Sequence, residues 1–157
     1  MNNLTPHFKS HAAEGPSRRD IITLFNDIWH GSVTSVQHYI KKYPHQLDVR
    51  DPSGKTGQTP LIFAIALERS GVADLLINSG ANVDQGDTNG DTPLIWTAYR
   101  NNFFIADKLL KNGADAARGN ASGNTAAHRA AVDGHAGLLQ LLHVRNNALI
   151  HQKNHDG

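Results

Sequence analysis

The stretch TPLIFA at residues 59–64 returns as TPLIWT at residues 92–97 and, in weaker form, as TAAHRA at residues 125–130. The step between them is 33 residues each time. A fixed period of this length indicates a stack of similar supersecondary units. Each unit is too small to bury its apolar side chains alone, so we expect neighbouring units to share one continuous core. The same step separates a set of glycines and a set of leucines: Gly57, Gly90 and Gly123, and Leu76, Leu109 and Leu142.

The clearest unit predicts two short helices. The turn signature DTNG at residues 87–90 is followed by Thr92 and Pro93. Thr is a good N-cap because its hydroxyl accepts a hydrogen bond from a free backbone N–H, and Pro is favoured at the first helical position. Ile105, Ala106, Leu109 and Leu110 then form one apolar stripe. The expected helices are residues 93 to about 100 and about 103 to 112.

The second helices carry a stop signal in the three best-preserved units. Gly80 and Gly113 stand where a residue in the left-handed conformation ends a helix at little cost. Asn146 occupies the equivalent place in the last unit, and Asn is the next-best residue for that conformation. The sequence therefore predicts that all three second helices end at this point.

A weaker unit precedes these three. Its first helix is marked by apolar residues at i, i+3, i+4 and i+7, with Asp20 as the expected N-cap, and Pro44 ends its second helix. The unit lacks the Thr-Pro-Leu phrase, as expected of a terminal unit whose outer face meets water. Residues 1–18 are expected to be a flexible lead-in. The apolar markers are Ile21, Leu24, Phe25 and Ile28, then Val36, Tyr39 and Ile40.

These motifs together resemble the ankyrin repeat, whose core phrase is Thr-Pro-Leu-His, followed by a small-residue pair, a Gly-His, a leucine pair and a Gly-Ala. The resemblance implies an all-α solenoid of about four stacked helix–turn–helix units, the first degenerate, over residues 19–157. It also implies that His128 and His135 are structural, holding a helix start and an inter-helix turn by hydrogen bonds. Glu68 and Arg69 replace the Gly-His of the pattern, so we expect a distorted turn there. The implied repeats are residues of about 20–50, 54–86, 87–119 and 120–153.

The last residues, 154–157, copy the spacing of the turn at residues 120–123. We therefore expect the start of a further repeat there, and the chain to be part of a longer protein. The alternative is a natural chain end with a vestigial turn. The mass of the endogenous protein distinguishes the two, because a native product of about 17 kDa contradicts the first.

Composition excludes several classes of function. The 157 residues have a net charge of +1 and no cysteine, which argues against a broad nucleic-acid footprint, disulfides and thiolate metal sites. The short basic pairs Arg18-Arg19 and Lys41-Lys42 are expected to be solvated. No apolar run reaches the length of a signal peptide core or of a membrane span. We expect a cytoplasmic or nuclear protein that does not insert into membranes.

Catalytic and cofactor signatures are also missing from the sequence. It contains no phosphate-binding Gly-rich loop and no Gly-x-Ser-x-Gly. The aspartates recur at turn and helix-surface positions, which favours solvated residues over an acid–base pair. A zinc site is conceivable, but such sites need converging ligands, and the structural interpretation of the histidines is preferred. We therefore predict no enzyme activity, cofactor or metal. The histidines concerned are His128, His135, His143, His151 and His155.

The resemblance implies a concave face made of turn tips and first helices, of the kind that recognises proteins. Positions that differ between repeats are informative there, because the scaffold does not dictate them. Trp, Tyr and Arg most often carry binding energy at interfaces. Two interpretations of Trp96 stay open, since it can fill space between first helices or contact a partner, whereas Phe63 is assigned to the core. The predicted partner-binding residues are Leu67, Asn89, Asp91, Trp96, Tyr99, Arg100, Arg129 and Asp133.

Two functions follow from this interpretation. The first is a protein–protein interaction module whose repeats bind a protein partner, acting as a monomer. The second is a self-contained regulator or inhibitor of a partner enzyme such as a protein kinase, since the length is similar to that of small ankyrin inhibitors of cyclin-dependent kinases. The motifs are generic to ankyrin repeats and name no partner.

Overall fold

The chain is described by a computed structural model over residues 15–153, with side chains described as far as Arg145. Within that range every regular element is an α-helix and no strand occurs. The helices follow each other as four hairpins. They are α1 (Arg18–Trp29), α2 (Val33–Lys42), α3 (Pro60–Ala66), α4 (Ser70–Asn78), α5 (Pro93–Tyr99), α6 (Phe103–Lys111), α7 (Ala126–Val132) and α8 (Ala136–Lys153).

The hairpins stack into two layers. The first helices pack in the order α1, α3, α5, α7, and the second helices in the order α2, α4, α6, α8. Apolar side chains from both layers meet in one buried cluster that runs through all four repeats. Leu76, Leu109 and Leu142, which keep the 33-residue step, are all buried in it. The prediction of a core shared between neighbours is confirmed.

Three helix starts and two helix ends follow the residues that predicted them. Thr59, Thr92 and Thr125 each accept a hydrogen bond from the backbone N–H three residues later, with Ile95 N to Thr92 Oγ1 at 3.3 Å. After Gly113, the N–H of Ala114 reaches back to Leu109 O at 3.0 Å, so the free carbonyls of α6 are satisfied. Gly80 ends α4 in the same way.

The first helix begins earlier than predicted. Its N-cap is Ser17, and the expected N-cap Asp20 is wrong. Asp20 is instead the third helical residue, and its carboxylate accepts from the Ser17 N–H at 3.0 Å. This reciprocal capping box satisfies two backbone donors at once, whereas a cap at Asp20 would satisfy only one.

The expected distortion at Glu68 and Arg69 is also wrong. Glu68 takes the left-handed conformation, φ +57°, as do Asn101 and Gly134 at the equivalent positions. The Arg69 N–H donates to Ala64 O at 2.8 Å, the same bond that closes the other inter-helix turns. The Arg69 guanidinium adds two bonds of 3.1 and 2.9 Å to the carbonyl of Trp29 in the first repeat. Packing of the repeats therefore overrides the local cost of a glutamate in this conformation.

The last helix does not end at Asn146, contrary to the prediction. α8 has 18 residues and continues to Lys153, whereas α4 and α6 have nine each. Asn adopts the left-handed conformation less readily than Gly, and a continued helix satisfies the carbonyls that would otherwise need a C-cap. The predicted turn at 154–157 and residues 1–14 of the predicted lead-in lie outside the described residues.

An ion-pair cluster joins the last two second helices and predicts acid sensitivity. Asp107 accepts from Lys111 and from Arg145, both at 2.6 Å. The hydrogen bond from Lys111, ahead of that from Arg145, lowers the pKa of Asp107. Since the folded-state pKa lies below the unfolded one, the stabilisation is present above the unfolded pKa and is lost as the pH falls through the folded value.

We therefore expect Asp107→Asn to be less stable than the unmodified chain at pH 7, and we expect this difference to shrink as the pH falls below the unfolded-state pKa of about 4. Urea denaturation at a series of pH values measures this difference. A difference that does not shrink as the pH is lowered through the acid range in which the protein stays folded would contradict the role of Asp107.

Candidate partner-binding face

The ends of the first helices carry the side chains that vary between repeats. Leu67, Arg100 and Asp133 are the C-caps of α3, α5 and α7. The residues one and four positions before each C-cap lie on the same side of the helix. Because the repeats stack at a 33-residue step, these side chains form rows that cross the molecule. The row one position before the C-cap is Ala66, Tyr99 and Val132, and the row four positions before it is Phe63, Trp96 and Arg129.

A short turn segment precedes each of α3, α5 and α7 and borders these rows. We call these segments hairpin tips, to distinguish them from the helical hairpins. They span residues 51–58, 87–91 and 120–124, and each is closed by an N–H···O bond between its end residues, of 2.9, 3.1 and 3.0 Å. Neighbouring tips are also bonded to each other. Thr88 N donates to Thr56 O at 3.1 Å, and Ala121 N donates to Asn89 O at 2.9 Å. The tips therefore form one connected strip. We call this strip together with the rows of first-helix side chains the first-helix face.

Five of the predicted partner-binding residues meet in one shallow cavity of this face. It lies between the second hairpin tip and α5. Asn89 is exposed at the tip, Trp96 and Tyr99 are half-buried, and Arg100 is exposed at the end of the helix. The cavity is lined by Asn89, Asp91, Trp96, Tyr99 and Arg100.

The two aromatic residues of the cavity are held in place by polar contacts. The indole Nε1 of Trp96 donates to Asp87 Oδ2 at 3.0 Å. The rings of Trp96 and Tyr99 are 5.3 Å apart and tilted by 54°. Trp96 also packs against the core. Both interpretations of Trp96 therefore have a physical basis, because one part of its ring fills space between helices and another part lines the cavity.

Asp91 is the buried carboxylate of the cavity and holds two of the side chains beside it. It is only 5% exposed, accepts from Asn120 Nδ2 at 2.7 Å, and lies 3.5 Å from the Tyr99 hydroxyl, which donates to it. Burial, followed by the charge of Asp91, raises the pKa of Tyr99, so its hydroxyl stays a donor. Asp91 thus orients Tyr99 and Asn120. That Asp91 itself contacts a partner stays a prediction.

Arg129 and Asp133 adjoin the cavity through Tyr99. The Arg129 guanidinium lies 4.3 Å above the Tyr99 ring, and two of its N–H groups donate to the Asp133 carboxylate at 2.7 and 2.8 Å. A bidentate pair stacked on an aromatic ring loses little further side-chain entropy on binding. These two predicted residues are brought together with the central five.

The remaining predicted residue stands apart. Leu67 is half-buried at the end of α3, one repeat before the cavity.

Arg100 differs from Arg129 in the bonds of its side chain. Within residues 15–145 its side chain makes no hydrogen bond or ion pair, whereas Arg129 is paired with Asp133. The face therefore offers one uncommitted guanidinium beside two aromatic rings.

Sequence reasoning missed Trp29. Gly31, with φ +70°, occupies the left-handed position of the first inter-helix turn, as Asn101 does in the third. Counting back two residues from each places Trp29 in the row of Tyr99. Trp29 is 56% exposed, and its ring lies 6.5 Å from that of Phe63. The signal was present in the sequence, but the unit lacks the Thr-Pro-Leu phrase from which the other repeats were aligned.

The histidines have the structural roles predicted for them. The Thr125 N–H donates to His128 Nδ1 at 3.1 Å at the start of α7, and His135 Nδ1 donates to Ala98 O at 3.0 Å across the repeat boundary. Within the described part of the chain, no group of three or more His, Asp or Glu side chains is arranged to hold a metal ion. None of the helices between residues 15 and 153 is both long enough and apolar enough to span a membrane.

Four stacked helical hairpins joined by bonded turn tips define the class of helical repeat proteins. The model of the family described as ankyrin repeats matches residues 24–120 and 66–154. The chain therefore belongs to the ankyrin repeat family, whose members are in general non-enzymatic protein–protein interaction modules. No curated protein was found to match the chain.

Proposed function

We propose that this chain binds another protein through the first-helix face, and that the cavity between the second hairpin tip and α5 is the centre of the contact. The observation that carries this proposal is the meeting of Trp96, Tyr99 and Arg100 with their exposed edges in one cavity. These three residue types dominate the binding energy of protein interfaces. The polar bonds of Asp87 and Asp91 hold the rings in advance, which reduces the entropy lost on binding.

The proposal includes three further points. The chain acts as a monomer in the cytoplasm or nucleus, its partner is a protein and not a nucleic acid, and it has no catalytic activity of its own. The absence of cysteine from the sequence is compatible with a reducing compartment. Size-exclusion chromatography with light scattering measures the first point directly.

Replacing Tyr99 and Arg100 together by alanine is expected to weaken partner binding by at least about tenfold, or about 1.4 kcal/mol. Arg100 is exposed, whereas Tyr99 is half-buried and packs against the core, so we expect a lower thermal midpoint but a folded protein, which circular dichroism checks. The matched control is Phe103→Ala with Phe104→Ala. These side chains are 51% and 64% exposed at the start of α6, in the other helix layer. Equal affinity of the Tyr99/Arg100 variant and the unmodified chain would remove this pair from the site.

Site-specific photocrosslinking tests the proposal even while the identity of the partner is unknown. A photoreactive amino acid at position 89 or 100 lies on the first-helix face, and one at position 104 lies on the second-helix layer. We expect one or more proteins to be crosslinked from the first two positions and not from the third. Crosslinks that are equal at all three positions, or found only at 104, contradict the proposed face. A single stoichiometric kinase among the products would favour the enzyme regulator over the general module.

A further inference from the structure

We infer that a second binding site lies between the second and third hairpin tips, and that it takes an arginine side chain of the partner protein. This inference rests on the proposed function, because the arginine belongs to the partner that the first-helix face binds. It is carried by the way in which the chain's own Arg50 fills the equivalent place one repeat earlier.

Arg50 shows how a guanidinium binds between two tips. It directly precedes the first tip, and its Nη1 donates to the carbonyl of Gly57, the last residue but one of the same tip. The same nitrogen donates at 2.7 Å to the carbonyl of Gly86, which directly precedes the second tip. One guanidinium nitrogen therefore bridges two backbone carbonyls that belong to neighbouring repeats.

The boundary between the second and third tips has the same two carbonyls but no side chain between them. They belong to Gly90 and Gly119, each 33 residues after one of the glycines that Arg50 bonds. Neither carbonyl accepts a hydrogen bond from any residue between 15 and 145. The place of Arg50 is taken here by Gly86, which has no side chain to bring a donor. Both carbonyls are thus available to a donor from another molecule.

Other bonds show that the two boundaries have the same geometry. At each, a backbone N–H of the later tip donates to a carbonyl of the earlier tip, at 3.1 Å in the first case and 2.9 Å in the second. At each, an aspartate ahead of the earlier tip also accepts from a backbone N–H of the next repeat, at 2.9 Å in both cases. These aspartates are Asp48 and Asp84. A guanidinium held as Arg50 is held therefore suits the second boundary as well.

An open cavity of about 670 Å³ lies at the second boundary. Gly86, Gly90 and Gly119 all line it. A Cβ at residue 86 would lie 2.9 Å from the carbonyl carbon and oxygen of Gly90, so this hairpin, which is shorter than the first, excludes a side chain at that position. The chain cannot fill this cavity in the way that Arg50 fills the first boundary.

The charged side chains of the cavity set the sign of two effects. Asp84 accepts from the backbone N–H of Asp115, and Asp87 accepts from backbone and indole N–H groups, so neither carboxylate is in an ion pair. These carboxylates attract a guanidinium. Arg118 also lines the cavity and repels one, but it is exposed and makes no side-chain bond within residues 15–145. It is therefore able to turn into the solvent.

The chemistry of the site favours arginine over lysine. A guanidinium presents several N–H donors in a fixed plane, remains charged at any physiological pH, and is less strongly hydrated than an ammonium group. It therefore loses less on leaving water to bond two uncharged carbonyls. Arg50 is the direct example of this arrangement in the same chain.

Titration of the isotope-labelled full-length chain with the peptide acetyl-Gly-Arg-Gly-amide, followed by NMR, tests the inference. We expect the backbone amide signals of Asp91 and Asn120 to shift, because these amides follow the two carbonyls. The same peptide with leucine in place of arginine should leave both signals unchanged.

Arg50→Ala provides an internal check, because it vacates the first boundary. The arginine peptide should then also shift the amide signals of Gln58 and Asp87, which follow the carbonyls that Arg50 bonds. It should raise the thermal midpoint of this variant more than that of the unmodified chain, since it replaces a lost contact. Circular dichroism confirms that the variant folds.

Two substitutions at the cavity should have opposite effects on the Kd of the arginine peptide. Asp84→Asn keeps a hydrogen-bond acceptor but removes the charge, and should raise Kd roughly threefold. Arg118→Ala removes the repulsion and should lower Kd by a similar factor. The matched control is Lys55→Ala, which removes a cation from the first tip, outside the cavity, and should leave Kd unchanged.

Several results would overturn the inference. These are unchanged Asp91 and Asn120 signals, equal shifts with the leucine peptide, and a Kd that Asp84→Asn does not alter. If the peptide binds only after Arg118→Ala, the resident occupant is Arg118 and not a partner. If any of these results is found while photocrosslinking from positions 89 and 100 succeeds, the proposed function stands without the arginine site.

Discussion

Leu109→Ala is expected to lower the free energy of unfolding by about 3–4 kcal/mol, a large part of the 5–15 kcal/mol available to a typical domain. Leu109 is fully buried in α6, which packs against α4 on one side and α8 on the other. The substitution leaves a cavity at the centre of the stack, where both neighbouring repeats lose contacts. In a protein whose stability is a sum of repeat and nearest-neighbour terms, a central defect weakens two interfaces. Urea denaturation followed by circular dichroism measures the change.

Leu142→Ala is the matched control for this prediction. Leu142 keeps the same repeat position and is 3% exposed. Its helix, α8, packs against α6 and α7, and no further second helix follows it among the described residues. We expect a smaller loss, about 2 kcal/mol, and a broader transition because the last repeat frays on its own. An effect at Leu142 equal to or larger than that at Leu109 would contradict the nearest-neighbour description.

Gly86→Ala is expected to destabilise the chain by about 2–3 kcal/mol and to disturb the candidate cavity as well. A Cβ at residue 86 would lie 2.9 Å from the carbonyl carbon and oxygen of Gly90. Backbone atoms cannot rotate away, so the hairpin at residues 87–91 has to open. That hairpin carries Asn89 and the two carboxylates that hold Trp96 and Tyr99. We expect a lower thermal midpoint and a loss of partner affinity together.

Gly71→Ala provides the control for adding a methyl group to a glycine. Gly71 lies in α4, and a Cβ there would meet Val33 Cγ2 at an ordinary 3.6 Å. Because Ala is the better helix former, this variant should be more stable by about 0.5–1 kcal/mol. A Gly86→Ala variant as stable as the unmodified chain would show that the hairpin has room the structure does not indicate.

The hairpin tips also show what a repeat pattern can and cannot reveal. Gly119 stands in the same relation to Gly123 as Gly86 does to Gly90. A Cβ at residue 119 would lie 2.9 Å from the carbonyl carbon of Gly123. The first tip has Arg50 at the corresponding place. Its hairpin is three residues longer, from Asp51 to Gln58, and leaves space for a side chain. The Arg50 guanidinium then donates to the carbonyl of Gly86 at 2.7 Å and joins the two tips. The spacing of the glycines was visible in the sequence, but this cross-repeat bond was not.

Most of the candidate site was predictable for a related reason. The sequence analysis selected Tyr99, Arg100, Arg129 and Asp133 because they stand at positions that vary from repeat to repeat. In the structure Tyr99 and Arg100 line one cavity, and the Arg129–Asp133 pair lies against the Tyr99 ring. Trp29 escaped because its repeat lacks the phrase that sets the register. The burial of Asp91 escaped because its partner, Asn120, comes from the next repeat. Contacts across a repeat boundary depend on how two units pack, and no single unit carries that information.

The sequence by itself determined the period, the helix caps and the apolar stripes, because each depends on residues within one turn or one helix of each other. Those local preferences are strong where Thr-Pro and Gly stand, and weak at Glu68 and Asn146. At Glu68 only the tertiary structure decided the outcome. The bonds from Arg69 to the carbonyls of Ala64 and Trp29 fix the turn in which Glu68 takes a conformation that it does not prefer. At the other end of the chain, α8 continues past Asn146 because Asn is a weaker helix stop than Gly. The stacking of one repeat on the next contributes more free energy than the backbone preference of a single residue, so it prevails at Glu68.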